Sequence, residues 1–341
     1  MIMMKKISIS ILLTAALAAC TKDPAVTDTG RIELRAGISE LSVTSKASAD
    51  PFRGSVPSSE NKLKAEVWFS YDPEQFVNDP EEPEYLPCHT DMTFESPGYY
   101  FADYISGSDK FPIKYPIPSN TGDESKSVYC IGLCPQEEWT STDEFKTISH
   151  DIDGSEDIMF ADIIEGTWDR KFEAQSYKHL LTWIKVSVCA TTVDAARHWG
   201  NIKSISISSA AYADIDFAES GSSVTYSGSR TIPVDLKYKT GETGSTGIGI
   251  DITSRDAGEV FCSPAADFTI EVTTEHGGTR TVSIPKLTDE NGAVISDIGQ
   301  IRGKLFVISL YFSPFDIIEG TCTLNYWNDQ SEDLYLETET P

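Results

Sequence analysis

An all-β protein built from packed sandwiches is what the sequence predicts, on three observations. Short runs of alternating apolar and polar residues recur along the chain, separated by Gly, Pro, Ser and Asp turn signals. No stretch sustains the 3.6-residue period of an amphipathic helix. The third observation is Tyr177–Ala190, YKHLLTWIKVSVCA. Its second half alternates, with Ile184, Val186 and Val188 on one side and Lys185, Ser187 and Cys189 on the other, the pattern of a half-buried strand. Its first half is apolar on both faces through Leu180, Leu181 and Trp183, so that end belongs at a junction between packed layers.

Taken in order, Lys5 and Lys6 precede the apolar run Ile7–Ala19, which ends in Leu17-Ala18-Ala19-Cys20. A charged start, a short apolar core and small residues before the cleavage point make residues 1–19 an export signal, too short to span a bilayer at the roughly 20 residues that needs. Leu-Ala-Ala-Cys is similar to a bacterial lipobox, which makes Cys20 the lipidated amino terminus of the mature chain and residues 20–29 a polar tether. Acyl chains on one cysteine, at about 0.8 kcal/mol per buried CH₂, hold a protein durably to a membrane. Thr21 follows where an inner-membrane retention signal would carry Asp.

The body starts with a strand over Arg31–Val43. Ile32, Leu34, Ala36 and Ile38 share one face, and Leu41 and Val43 continue out of phase after a bulge-like slip near Glu40. Leu63–Tyr71 puts Ala65, Val67 and Phe69 on one face and Trp68 on the other, while the acidic, proline-rich Asn78–Pro87 is excluded from any central strand. Strands are expected at 91–94, 99–105 and 128–133, and an acidic turn over His150–Asp157. The polar run Asp169-Arg170-Lys171 marks a seam, giving an N-terminal sandwich over 30–170 and a C-terminal one over 171–341. In the second half, strands are expected at 180–190, 202–208, 223–227, 231–238, 246–252, 259–263, 267–273, 279–284, 304–313 and 321–327. The 304–313 strand reads as central and covered on both faces, and Cys322, Leu324 and Tyr326 return on one face to Trp327.

Charge and chemistry narrow the function. With 27 Lys+Arg against 53 Asp+Glu the chain stands at −26, and loss of Lys5 and Lys6 with the signal takes it to −28. That field disfavours nucleic acid and anionic lipid surfaces, which need clustered Lys and Arg. About 320 residues remain after processing, enough for two ordinary domains. Of the seven cysteines, Cys130 and Cys134 share one face of a strand, and Cys88, Cys189, Cys262 and Cys322 are isolated; no zinc-ligand spacing occurs, and small core residues are the expected role. None of the five histidines (89, 150, 179, 198, 276) stands in a metalloprotease pattern, and no serine sits in a nucleophile elbow. His179 reads as a packed or hydrogen-bonded histidine. Asp151, Asp153 and Asp157 offer carboxylates to Ca²⁺, but without the register and distal Glu of an EF-hand the expectation is a solvated turn. No catalytic residue, cofactor or metal is expected.

These landmarks, in this order, resemble the fimbrillins, lipoprotein-derived pilus subunits of Bacteroidota. The likeness rests on the lipobox at Cys20, Thr44-Ser45-Lys46-Ala47 after the first strand, Asp157-Ile158-Met159-Phe160-Ala161, His179–Val186, and Gly303-Lys304-Leu305-Phe306 with its closing hairpin. It implies two tandem transthyretin-like β-sandwich domains and a non-enzymatic stalk, tip or anchor subunit of a surface fimbrium, lipid-anchored in the outer membrane. Assembly by strand exchange with other subunits, in support of adhesion to host or bacterial surface ligands, is implied too. Arg53 and Lys46 are the candidate processing points that free the first strand, with Arg31 and Arg35 as further candidates. The other reading is a surface lipoprotein that binds glycans on exposed aromatics such as Trp139, Trp168 or Trp199.

Overall fold

The computed structural model describes residues 30–325 except 39–61, 75, 77–87, 97, 107, 119–124, 137–138, 142–146, 218–220, 285–286, 288–293, 296–297 and 316. Cys20, Leu41, Val43, Lys46, Arg53, nearly all of 78–87, Tyr326, Trp327 and the end of the chain therefore lie outside the described residues. The described chain is all-β, with sheets packed face to face and one short helix at Val193–Trp199 besides a single turn at Ile298–Ile301.

The first half centres on a six-stranded sheet in the order Ala36–Ile38, Gln175–His179, Met159–Gly166, Val128–Cys134, Leu63–Ser70, Cys88–Phe94. Every pairing is antiparallel except the first. A thinner layer of residues 30–34, 100–102 and 113–115, with the hairpin Asp103–Ser106/Asp109–Pro112, covers one face. Between the layers lies a core that includes Ile32, Leu34, Val67, Phe69, Val128 and Tyr177. Pleat geometry sends Ala65, Val67 and Phe69 into it and turns Trp68 to the opposite face, into a second core with Ile131, Leu133 and Phe160. This sheet is thus buried on both sides.

In the second half, a five-stranded sheet (Asp235–Leu236, Arg255–Cys262, Thr182–Ala190, Leu305–Phe312, Ile318–Asn325) packs on a four-stranded one (Arg230–Pro233, Ile202–Ser209, Phe268–Thr274, Gly278–Ile284). Thr182–Ala190 is central and runs parallel to Leu305–Phe312. A further four-stranded sheet stitches the halves together, because Thr147–Asp151 pairs with Tyr212–Asp216 across residue 170. Ile148, Ile152, Ile158 and Phe160 accordingly share the larger core with Trp183, Ile184 and Phe306.

The doubly apolar stretch around Leu180–Leu181 is where the chain leaves one sheet for another. Gln175–His179 belongs to the six-stranded sheet and Thr182–Ala190 to the five-stranded one. Both leucines are buried at the crossing, held by Leu180 N–H to Ile158 O (2.8 Å) and by Gly303 N–H to Leu181 O (2.9 Å). What reads as one strand is two.

Three other expectations need correcting. His150 and Asp151 are the end of a strand, and the chain bends only at 154–156. Tyr212–Asp216 and the helix were not anticipated; seven residues capped by Thr192 are too few to display a helical period. Residues 246–252 form a loop, not a strand, with isolated bridges from Ile248 to Ile202 and from Gly247 to Thr243. Its shape comes from Arg255, which grips both oxygens of Glu242 (2.8 and 3.0 Å) while the amides of Lys239 (2.8 Å) and Gly249 (2.9 Å) donate to the same carboxylate.

Those bonds, Arg255 foremost, hold the Glu242 carboxyl down at about 2, against an ordinary value of 4.5. A depressed folded-state value stabilises the loop above the unfolded value, and that contribution fades as pH falls from 4.5 through about 2. A carbon-detected NMR titration should place the Glu242 midpoint well below its ordinary value of 4.5; a midpoint near 4.5 would refute the clamp.

Candidate functional site

The site that stands out is the seat of the first strand. Gly30 to Leu34 is paired along one side: Tyr115 N–H donates to Gly30 O (2.9 Å), Ile32 N–H to Ile113 O (2.9 Å) and Ala102 N–H to Ile32 O (3.0 Å). At Arg35 the chain changes layers. Gln175 N–H donates to Arg35 O (2.8 Å), and Ala36–Ile38 becomes the outermost strand of the six-stranded sheet. One short segment therefore edges both layers, with Ile32, Leu34 and Ala36 all pointing into the core between them.

Beneath it the floor is polar but satisfied. Tyr177 Oη donates to Gln175 Oε1 (3.0 Å), and Gln175 Nε2 reaches Cys130 Sγ (3.2 Å). The Tyr177 ring lies on Gly132, where any Cβ would collide with the phenol. Phe172 N–H donates to Tyr115 Oη (2.9 Å), fixing a second phenol beside the seat. At the strand's entrance Gly30 adopts φ +70°, and the Trp168 ring occupies the space a Cβ would need, so only glycine fits beneath it. Lys171 in turn lies over the Trp168 and Tyr115 rings, at 4.9 and 4.8 Å.

Withdrawing this segment would leave the amides of Ala102, Tyr115 and Gln175 and the carbonyl of Ile113 unpaired, next to two vacated apolar sockets. Backbone groups in a row beside apolar pockets are what an added β-strand satisfies. Full burial of an Ile or Leu side chain stabilises by about 1.5–3 kcal/mol, so the sockets favour refilling.

The remaining candidate residues have structural partners. Asp151 is bound bidentately by Arg230 (2.6 and 2.7 Å), Asp153 accepts from Ser155 N–H (2.8 Å), and Asp157 Oδ2 accepts from His179 Nδ1 (2.7 Å). The three carboxylates face different partners, and no cluster of three metal-type side chains occurs among the described residues. The six described cysteines are free thiols; Cys88, Cys130, Cys134 and Cys262 are buried, and burial pushes the Cys88 thiol up to about 12. Arg31 is tied to Asp103 (2.5 Å) and lies over Phe101 (4.0 Å), and Arg35 lies over Tyr99 (4.7 Å).

The tryptophans expected as glycan platforms are committed elsewhere. Trp199 is wholly buried with Nε1 donating to Ser313 O (2.6 Å), Trp139 donates to Pro135 O (2.8 Å) and packs edge-on against His150, and Trp168 covers Gly30. The aromatics that do face outward here are Tyr99 and Phe101, both capped by arginine. Nothing local in the sequence marks the Trp168–Gly30 contact, which joins residues far apart in the chain.

No protein-family model matches the chain, and no curated protein sequence does. Among solved structures, it is similar to a candidate cell adhesion protein from Bacteroides uniformis at 14% identity and a TM-score of 0.48, over 88% of this chain and 98% of that one. It is also similar to the fimbrial anchor protein Mfa2 from Porphyromonas gingivalis, at 10% identity and a TM-score of 0.40 over 87% and 97%. The C-terminally truncated tip fimbrial protein Mfa3 from the same organism gives 10% and 0.36 over 87% and 99%.

Proposed function

We propose that this chain is a non-enzymatic structural subunit, stalk, tip or anchor, of a cell-surface fimbrium. In this reading it is exported as a lipoprotein, held in the outer membrane through acylated Cys20, and joined to other subunits by strand exchange at the seat of its first strand. The observation that carries the reading is that seat: one segment forms the outer edge of both layers and plugs their common core with Ile32, Leu34 and Ala36. Lys46 and Arg53 come after this segment and are the proposed processing points. Arg31 and Arg35 are weaker protease targets, since both stack on aromatic rings within the strand pairing.

Mild trypsin treatment of the pure protein tests the reading. Cleavage after Lys46 or Arg53, release of the strand and concentration-dependent oligomers by light scattering are the results expected of a polymerising subunit. Cleavage without any change in size would instead assign a terminal or anchoring role. A released strand that leaves a soluble, unaltered monomer unable to bind the strand again would remove strand exchange altogether. Membrane attachment is tested separately: a Cys20→Ala chain should leave the membrane fraction, and one that partitions as before sinks the lipid anchor.

A further inference from the structure

We propose that the outer face of the second half's four-stranded sheet, formed by Arg230–Pro233, Ile202–Ser209, Phe268–Thr274 and Gly278–Ile284, binds a neutral polysaccharide. The inward side chains of these strands, Ile205, Ile207, Ile270 and Val272 among them, belong to the larger core, so the alternate residues face outward. There the register builds a grid of hydroxyls. Ser204 stands opposite Thr273 and Thr273 opposite Thr279; Ser206 stands opposite Glu271 and Glu271 opposite Thr281; Thr269 stands opposite Ser283. Thr231 and Pro233 extend the grid from the next strand, opposite Ser208 and Ser206. All of these residues are exposed or half-buried.

In a chain with 27 Lys+Arg and 53 Asp+Glu, the outward positions of these strands carry one charge, Glu271. Charged groups at the margin are engaged elsewhere. Lys203 Nζ donates to the carbonyls of Ser245 (3.0 Å) and Thr246 (2.8 Å), Arg230 binds Asp151, and Arg280 leans over the Trp199 ring (5.9 Å). Glu275 accepts from Asn201 N–H (3.3 Å), while Asp267 and His276 stand exposed beyond opposite ends of Phe268–Thr274. The hydroxyls themselves are unengaged. Thr273 and Thr279 share a hydrogen bond (2.9 Å), and the others of the grid bond to no protein group among the described residues. On the neighbouring four-stranded sheet, by contrast, Thr147, Ser149 and Ser227 are each tied to Asp214 or Asp216.

These features select the occupant. A hydroxyl donates once and accepts twice, so a grid of them matches a ligand that is itself rich in hydroxyls. The grid repeats about every 4.8 Å across strands and about every 6.7 Å along them, a lattice that suits a repeating polymer. Glu271 at its centre and the net charge of −26 repel polyanions. They also oppose a second copy, because two-fold packing of this face on itself brings one Glu271 against the other. An added strand is excluded, since the inner strands spend their backbone groups on the ladder. The face presents no aromatic ring for stacking, so each contact is weak and repetition of the site supplies avidity. Only that avidity draws on the fimbrial reading.

Biolayer interferometry of the full exported chain on an immobilised dextran, mannan, galactan and linear β-glucan, with alginate as the polyanionic control, tests this. Saturable binding to at least one neutral polymer is expected, unchanged by about 0.5 M NaCl and absent on alginate. The triple variant Ser206→Ala/Thr269→Val/Thr281→Val removes hydroxyls while keeping both threonine positions β-branched, and should weaken binding roughly tenfold or more. A thermal melt that matches the parent excludes misfolding as the cause. Thr281→Arg, a single change on the sheet's outermost strand, blocks the same face and should do likewise, so the test stands even where the triple variant unfolds. Absence of binding to all of the neutral polymers, binding that both variants retain, or binding that salt abolishes overturns the proposal. So does a dimer, seen by light scattering, that Thr281→Arg disperses while no polymer binds, which would make a second copy the occupant. None of these outcomes bears on release of the first strand, which trypsin treatment reports.

Discussion

Replacing Asp157 with Ala should destabilise the protein by about 1–3 kcal/mol, the range for leaving a buried hydrogen-bonding group without its partner. The Asp157 and His179 side chains are 3% and 1% exposed and are joined by a 2.7 Å hydrogen bond. They sit where the architecture turns. Asp157 lies just before the strand Met159–Gly166, and His179 ends the neighbouring strand, opposite Met159, just before the chain crosses between sheets at Leu180–Leu181. Removing the carboxylate leaves a buried imidazole facing a void at the crossing. Desolvation limits what the intact pair contributes, however, so the double variant Asp157→Leu/His179→Leu should lose less stability than Asp157→Ala alone. Urea midpoints for the single and double variants measure both. A single-variant loss under about 1 kcal/mol, the value of an ordinary surface pair, would mean that the crossing holds without it.

How much of this was legible in the sequence depends on range. Facing of side chains within a strand is local, and it was readable: Ile32, Leu34 and Ala36 inward, and Ala65, Val67 and Phe69 against Trp68. The two-faced apolar run at Leu180–Trp183 pointed to a junction for the right physical reason, although the pattern could not say that the strand breaks there. His179 was readable as a satisfied histidine, yet its partner Asp157 was grouped with Asp151 and Asp153, since sequence proximity hides that the three point to different elements. Strand partners are long-range choices and were not legible. Thr147–Asp151 pairs with Tyr212–Asp216, and the first strand changes layers at Arg35 only because Gln175 supplies a donor 140 positions away. Trp168 and Trp199 illustrate the same limit, since both were expected to be exposed while a distant glycine and a distant carbonyl claim them.

Shortening Ile32 and Leu34 together to Ala should release the first strand while leaving the rest of the protein folded. Each side chain is fully buried, and Ile or Leu to Ala in a packed core costs about 2–5 kcal/mol. In a central strand that loss would spread through the whole domain. Here it falls on a segment that edges both layers, paired to Ile113 and Ala102 on one side and to Gln175 in the other sheet. The cheapest response is local opening, in which the segment detaches and water hydrates the groups it covered. Even 4 kcal/mol is about a thousandfold shift in such an equilibrium, at roughly 1.4 kcal/mol per factor of ten. Hydrogen exchange resolves the two cases residue by residue. The amides of Ala102, Tyr115 and Gln175, which donate to the first strand, should lose protection by orders of magnitude, whereas those of Thr182–Ala190 in the central strand of the other half should keep theirs. Trypsin should free the segment faster in the same variant, and a synthetic peptide of the parent sequence, residues 30–43, should restore protection at those three amides. If protection falls equally in both cores, the first strand is an integral part of one cooperative fold, and a subunit that exchanges it for a neighbour's strand is ruled out.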